Sequence, residues 1–394
     1  MKLRRDHDAP RRTGRKLPRL RFEYVDGRSD VTSMVFTPDG RELVVGTRRV
    51  AFVCDLATRT RRLELPIAEH DAGGAHIGVV ACSPDGRSVA LGLAATDHLS
   101  DVAVVVFDAQ TGALRYRVPS LWMAPSEFIS GVSALAFSAD GARFAIGAYD
   151  GTVTVHDAFT GAHVRDGTRF DHFITGLAFG GGDRHLCASG YMNKPALRDP
   201  WEEEWEEEAS PAPKRTSLWD GFPQVTAEDL TRDEPPWFRA DVREAAYLAR
   251  LCLTADGRTL VHASGGGLYS FALDPPFTTP PEDERSSVWG SRDWPTPTRT
   301  WCVWIDSNGR RMLWVNAYKD LFRQRTPNRD VRVIHRRREL VPDSAAPWPE
   351  VTTATRDGSR VARIFLLRRD FTEIVVTRVR PRRRAAGRRK ATRW

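Results

Sequence analysis

Apolar and polar residues alternate along most of this chain in short runs, and one recurrent turn punctuates them. FTPDGRELVVG (Phe36 to Gly46), CSPDGRSVALG (Cys82 to Gly92), FSADGARFAIG (Phe137 to Gly147) and LTADGRTLVHA (Leu253 to Ala263) share an apolar residue, an Asp-Gly turn and an apolar run. FGGGDRHLCAS (Phe179 to Ser189), IDSNGRRMLWV (Ile305 to Val315) and ATRDGSRVARI (Ala354 to Ile364) are weaker copies. The period-two run before the turn, such as VTSMVF, predicts one strand, and the run after it predicts the returning strand. Asp-Gly or Asn-Gly between them predicts a tight hairpin with positive backbone dihedrals. Asp39, Asp85, Asp140, Asp256 and Asp357 are then turn formers, because a carboxylate recurring in unit after unit builds the unit and not one active site.

The turns fall near residues 40, 86, 141, 183, 257, 309 and 358. Such spacing indicates repeat architecture, and ~40–45 residues suits one four-stranded propeller blade. A third strand ending in Asp follows in several units, as VAFVCD, VAVVVFD, TVTVHD and YSFALD. A Thr-Gly turn then leads, in the second and third units, to a fourth strand such as LRYRVP. By its S-P-D-G-type turn, its third strand ending near Asp and its Thr-Gly turn, residues 21 to 381 resemble the WD-repeat family of β-propellers. Cys54, Phe107 and His156 stand where that family has the Trp of Trp-Asp, and a Trp-Asp pair survives at Trp219-Asp220.

The expected fold is all-β: a seven-bladed propeller of four-stranded antiparallel blades over residues 20–381. In the fourth unit TSLWD is expected as the third strand, which makes residues 191–214 an insertion between strands two and three. The seventh unit lacks a fourth strand, and an orphan strand, LRFEYV (Leu20 to Val25), precedes the first. Ring closure removes exposed sheet edges, and the resemblance implies that LRFEYV supplies the outer strand of the last blade.

Charge adds two features. Residues 1 to 20 carry a net +6 and residues 378 to 394 a net +9, so against a total of +8 the remainder carries −7. Segments 1–19 and 382–394 are expected to be disordered basic tails. Arg11, Arg12, Arg15, Lys16, Arg382, Arg383, Arg384, Arg388, Arg389 and Lys390 are their candidate anion-binding residues. Blade geometry sends both tails out of one face. The insertion, on the opposite face, holds WEEEWEEE: Trp201, Glu202, Glu203, Glu204, Trp205, Glu206, Glu207 and Glu208. Trp201 and Trp205 share a side in a helical turn, and Trp is favoured at binding hot spots, so this is the candidate partner-binding element. A second basic cluster spans Leu321 to Glu339; its first half is expected as a loop between strands two and three, with VRVIHR as strand three.

Chemical motifs are sparse. The chain has no Walker loop, no H-E-x-x-H and no G-x-S-x-G. The five Cys, at 54, 82, 187, 252 and 302, fall on predicted strands without a C-x-x-C, which suits buried free thiols, a reducing compartment and a cytoplasmic location. His70, His76 and His172 lie on predicted loops of one face, where propeller enzymes build channel-mouth sites. No run reaches the ~18 apolar residues of a membrane-spanning helix. The resemblance implies a non-enzymatic scaffold for protein partners, without cofactor or metal. Two alternatives stay open: a scaffold tethered to nucleic acid through the tails, and a hydrolase or lyase acting at the central channel.

Overall fold

The computed structural model describes residues 19–23, 31–67, 75–95, 102–119, 130–171, 173–193, 221–232, 238–241, 250–253, 259–264, 267–272, 300–305, 311–316, 321–325, 331–335, 352–367 and 371–379. Every regular element among them is a β-strand. Set one comprises β2 (Ser33–Phe36), β3 (Glu42–Gly46), β4 (Val50–Asp55) and β5 (Thr60–Pro66). Set two is β6 (His76–Cys82), β7 (Ser88–Ala95), β8 (Val102–Asp108) and β9 (Leu114–Pro119); set three is β10 (Ser130–Phe137), β11 (Arg143–Ala148), β12 (Val153–Asp157) and β13 (His163–Asp166). Set four is β14 (Ile174–Gly180), β15 (His185–Asn193), β16 (Gly221–Asp229) and β17 (Phe238–Asp241). Set five holds β18 (Arg250–Leu253), β19 (Thr259–Ser264) and β20 (Gly267–Ala272); set six holds β21 (Thr300–Ile305), β22 (Arg311–Asn316), β23 (Leu321–Arg325) and β24 (Val331–His335). Set seven is β25 (Thr352–Ala354), β26 (Arg360–Leu367) and β27 (Phe371–Arg378), with β1 (Arg19–Glu23) on its outer side.

Each set is antiparallel, with neighbours in sequence paired in order. The start of β10 in set three also pairs with the end of β7 in set two, through Ser130↔Ala95 and Gly131↔Ala94. Gly131 has φ 120°, and a Cβ there would lie 2.4 Å from the Leu93 carbonyl oxygen, so this approach requires glycine. The first strands of successive sets are neighbours in a cycle: β2 with β6, then β10, β14, β18, β21, β25 and back to β2. The orphan N-terminal strand pairs as expected, with Arg19 opposite Val375 and Glu23 opposite Phe371. A strand from the start of the chain therefore completes the set formed at its end.

Apolar residues are buried between sets. Met34, Leu43, Val45, Phe52 and Cys54 of set one pack with Ala362, Ile374 and Val376 of set seven. Val44, Val53 and Leu65 pack with Ile77, Val89, Leu91 and Phe107 of set two. Both faces of a set are covered in this way, which is why the second and third strands read as continuous apolar runs.

The structure changes three expectations. The third strand of set four is β16 and not TSLWD, because all of β15 from His185 to Asn193 is in register with Asp229 to Gly221. The chain between these strands is thus residues 194–220, and Tyr191 to Asn193 belong to β15. In set six, Leu321–Arg325 is the third strand, paired to β22, and Val331–His335 is the fourth. Neither half of that basic cluster takes its expected place, since Val315↔Leu321 continues the ladder directly. His76 is the first residue of β6, opposite Ala94, and not a loop residue.

The turn chemistry also differs from a two-residue Asp-Gly hairpin. Gly40, Gly86, Gly141 and Gly358 have φ between 65° and 73°, and the preceding Asp residues do not have positive φ. The Gly40 N–H bonds the Thr37 carbonyl oxygen at 2.8 Å, so the turn spans four residues with Gly in the left-handed position.

Candidate functional site

The face bearing these turns is built from repeated polar devices. The Thr37 hydroxyl donates to Asp39 Oδ1 at 2.7 Å, and the same oxygen accepts the Arg41 N–H at 2.9 Å. Ser83 and Asp85, Ser138 and Asp140, and Thr355 and Asp357 repeat the arrangement. Partial burial works against ionisation of Asp39, but the Arg41 N–H and the Thr37 hydroxyl hold it below the usual carboxylate range. These four carboxylates are consumed by their own turns. Asp256 lies outside the described residues.

A second device ends the third strands of sets one to four. Asp55 Oδ1 accepts the N–H groups of Ala57 and Thr58 and the Thr58 hydroxyl. Asp108 with Thr111 and Asp157 with Thr160 do the same. Asp229 joins them through Thr231. Its role is hidden in the sequence, because Trp219-Asp220 draws the motif away. The available signal is the apolar residue after the Asp: Leu56, Ala109, Ala158 and Leu230 each donate their N–H to the carbonyl oxygen of the residue just before strand two.

Outer strands clasp the next set on this face. Arg62 of β5 reaches the carbonyl oxygens of Ala109 at 2.7 Å and Gln110 at 3.0 Å. The Tyr116 hydroxyl donates to the Ala158 oxygen at 2.6 Å. Arg165 donates to the oxygens of Leu230 at 3.3 Å and Arg232 at 2.9 Å. The seam between sets three and four is closed further by Asp183, 5% exposed, whose carboxylate accepts the N–H groups of Ala139 and Asp140. Arg143 bonds the Asp183 carbonyl oxygen, and Arg360 bonds that of Gly40 at the equivalent place between sets seven and one.

The residues just before Asp55, Asp108, Asp157 and Asp229 are buried. Cys54, Phe107 and His156 are at most 2% exposed, and Glu228 is 4% exposed at the same place in set four. Burial pushes the Glu228 carboxyl up, against the Thr168 N–H at 3.2 Å and Arg165 at 3.9 Å. His156 is spanned by the Gly161 oxygen and the Thr154 hydroxyl, and burial lowers its pKa. Burial also lowers His76, with Arg48 adding to the effect. Cys54, Cys82 and Cys187 are free thiols pushed up to about 12 by burial. Among the described residues no group of three or more His, Cys, Asp or Glu is placed to hold a metal ion. His70 and His172 lie outside those residues, as do Trp201 to Glu208, Arg11 to Lys16 and Arg382 to Lys390.

The structure does fix where the predicted partner segments attach. Asn193 and Gly221 are register partners, so residues 194–220 leave and rejoin at one point. β15 is longer than β3 or β11, and β15 and β16 run paired to that point. The attachment lies at the opposite end of strand two from the turns. The two basic segments attach at the turn end of the last set: Arg19 begins β1 opposite Val375, and the Val379 N–H bonds the Ser359 carbonyl oxygen at 2.7 Å. Among the described residues no helix is long and apolar enough to cross a membrane.

Ring-arranged antiparallel sets closed by an N-terminal strand define a β-propeller. The WD domain, G-beta repeat family model matches residues 127–157, which form most of set three. No curated protein sequence matches the chain. Among solved structures, a chain of a mitotic checkpoint complex is similar at 12% identity and TM-score 0.61, covering 97% of this chain and 99% of its own. The Myceliophteria thermophila Cps50 (Swd1) β-propeller domain is similar at 15% identity and TM-score 0.56, covering 90% and 100%. The chain has the fold of an all-β propeller.

Proposed function

We propose that this protein is a non-enzymatic scaffold: a single seven-bladed ring over residues 20–381 that holds protein partners. The observation that carries this reading is the paired extension of β15 and β16 as far as Asn193 and Gly221, at the end opposite the turns, where residues 194–220 attach; their sequence holds Trp201, Trp205 and the six Glu between Trp201 and Glu208. Two aromatic anchors among acids suit a basic protein surface. The similar chain of the mitotic checkpoint complex belongs to an assembly, which accords with this role. Fold likeness alone does not assign a partner. The free thiols suit a reducing compartment such as the cytoplasm.

The test is replacement of 194–220 by a two-residue turn joining Asn193 to Gly221. The shortened protein is expected to melt at the same temperature and to lose its bound proteins. An unchanged partner set refutes the reading.

A second reading is favoured by the attachment of both basic segments to the paired strands β1 and β27. In it the terminal Lys and Arg hold nucleic acid through phosphates, without base readout. Among the described residues no geometry favours a hydrolase or lyase at the channel.

A further inference from the structure

We infer that the turn face at the seam between sets seven and one is itself a polyanion-binding surface, suited to the phosphate oxygens of a nucleic-acid backbone. This rests on the second reading above and extends it from the terminal segments to the folded ring.

The repeat places different residues at equivalent positions. The third strands of sets one to four end on Asp55, Asp108, Asp157 and Asp229; that of set seven ends on Arg378, which is exposed. The residue before the turn Asp is Pro38, Pro84 and Ala139 in sets one to three; in set seven it is the exposed Arg356. The left-handed turn position carries an acid, Asp183, in set four and Gly40 in set one. Arg360 holds the Gly40 carbonyl, and the Arg41 side chain beside it is 82% exposed. Arg41, Arg356, Arg360 and Arg378 thus surround one seam; Arg356 stands where sets one and two have proline and Arg378 where sets one to four have Asp, while set six ends its third strand on Arg325.

Among the described residues the acids of the two seam turns are Asp39 and Asp357. Each accepts a Thr hydroxyl and a backbone N–H within its own turn, although Asp39 also lies 3.6 Å from Arg41. The nearby Glu42 is paired with Arg62. The Thr355 methyl packs against Gly40, so the two turns form one surface. Both basic terminal segments attach here, which makes the patch continuous in charge with them. Guanidinium groups grip phosphate oxygens as a fork. None of the four positions offers an aromatic ring for base stacking, so binding is to the backbone and independent of sequence.

The test is fluorescence anisotropy of labelled duplex DNA and single-stranded RNA with the full chain, over a sodium chloride series. Wild type is compared with R41A/R356A/R378A; Arg360 is kept because it holds Gly40. The triple variant is expected to keep its melting temperature and to bind about tenfold more weakly. Its log-affinity against log-salt slope on duplex is shallower by about 0.9 for each phosphate that the variant no longer neutralises. Arg378→Asp, which installs the residue that sets one to four carry, shifts binding in the same direction and guards against a folding defect. Charge-matched polyglutamate is expected to compete poorly. Equal affinity and slope in wild type and variants overturn the patch while leaving the terminal segments as the binder. No binding by wild type overturns the second reading along with it. Displacement by polyglutamate at equal charge overturns the assignment to phosphate.

Discussion

The carboxylate of Asp183 accepts the backbone N–H of Asp140 at 2.7 Å, across the seam between the third and fourth sets. It takes the Ala139 N–H as well, at 2.6 Å. Asp183 has φ 66° and so adopts the left-handed conformation that Gly141 holds one set earlier. Asp183→Ala removes the acceptor for both amides and retains the backbone strain. It should lower stability by about 2–4 kcal/mol, as charge-assisted bonds of about 1.5–3 kcal/mol each are partly replaced by water. Asp183→Gly relieves the strain and should lose less. Chemical denaturation of the three proteins checks the order; an Ala variant as stable as wild type contradicts it.

Arg59 has φ 63° at the place where Gly112 and Gly161 stand in the next two sets. Left-handed backbone costs a side-chain-bearing residue about 1–2 kcal/mol, and glycine gives back about 0.5–1 kcal/mol of that in chain entropy. Arg59→Gly should therefore raise stability by a few tenths to about 1 kcal/mol. A lower melting temperature would show that the Arg59 side chain makes an interaction worth more than the strain.

Stability should fall as pH rises through the alkaline range. Burial raises Tyr116 to about 12, and Cys54, Cys82 and Cys187 to about 12, from ordinary values of 10.0 and 9.0. Between those limits the unfolded chain has released protons that the folded chain keeps, so the unfolded state gains. The loss should begin near pH 9 and continue to about pH 12. Tyr116→Phe should remove its own share of the loss, which sets in near pH 10, and cost about 1 kcal/mol at neutral pH, for the bond to the Ala158 oxygen. Denaturant midpoints from neutral to alkaline pH read both effects.

Glu228 behaves in the opposite sense to the turn acids. Its folded pKa is raised by burial, so the folded state holds a proton that the unfolded chain releases above the ordinary value of 4.5. Stability is therefore greatest below that value and declines as pH rises through the folded pKa. Arg165 and the Thr168 N–H face the carboxyl, and Cys187 lies near it. Glu228→Gln keeps an acceptor for Thr168 without the charge. It should match or exceed wild type in melting temperature at neutral pH and converge with it below the ordinary carboxyl value. A Gln variant less stable at neutral pH would mean that the Arg165 pairing outweighs desolvation.

Much of the ring is legible because its units repeat a local code. Alternating runs, the hydroxyl–x–Asp-Gly turn and the closing N-terminal strand all follow from local pattern and edge pairing. What escapes the sequence depends on neighbours across seams. Nothing local marks Asp183 as a cap for another set's turn, or Tyr116 as a donor to Ala158. Trp219-Asp220 misleads because it matches the motif while the ladder runs on to Asp229. Leu321–Arg325 reads as loop because its charges mask a strand that pairs with β22. The segments proposed for function, Trp201 to Glu208 and the terminal Arg clusters, are legible only as composition and points of attachment.

The decisive measurement for the scaffold is amine cross-linking of the full chain in complex with its partners, read by mass spectrometry. The lysines are Lys2, Lys16, Lys194, Lys214, Lys319 and Lys390, so the reagent samples the acidic segment and the terminal segments almost exclusively. Partner cross-links are expected through Lys194 and Lys214, and they should disappear in W201A/W205A at an unchanged melting temperature. Partner cross-links confined to Lys2, Lys16 and Lys390, or retained in that variant, would contradict the scaffold reading.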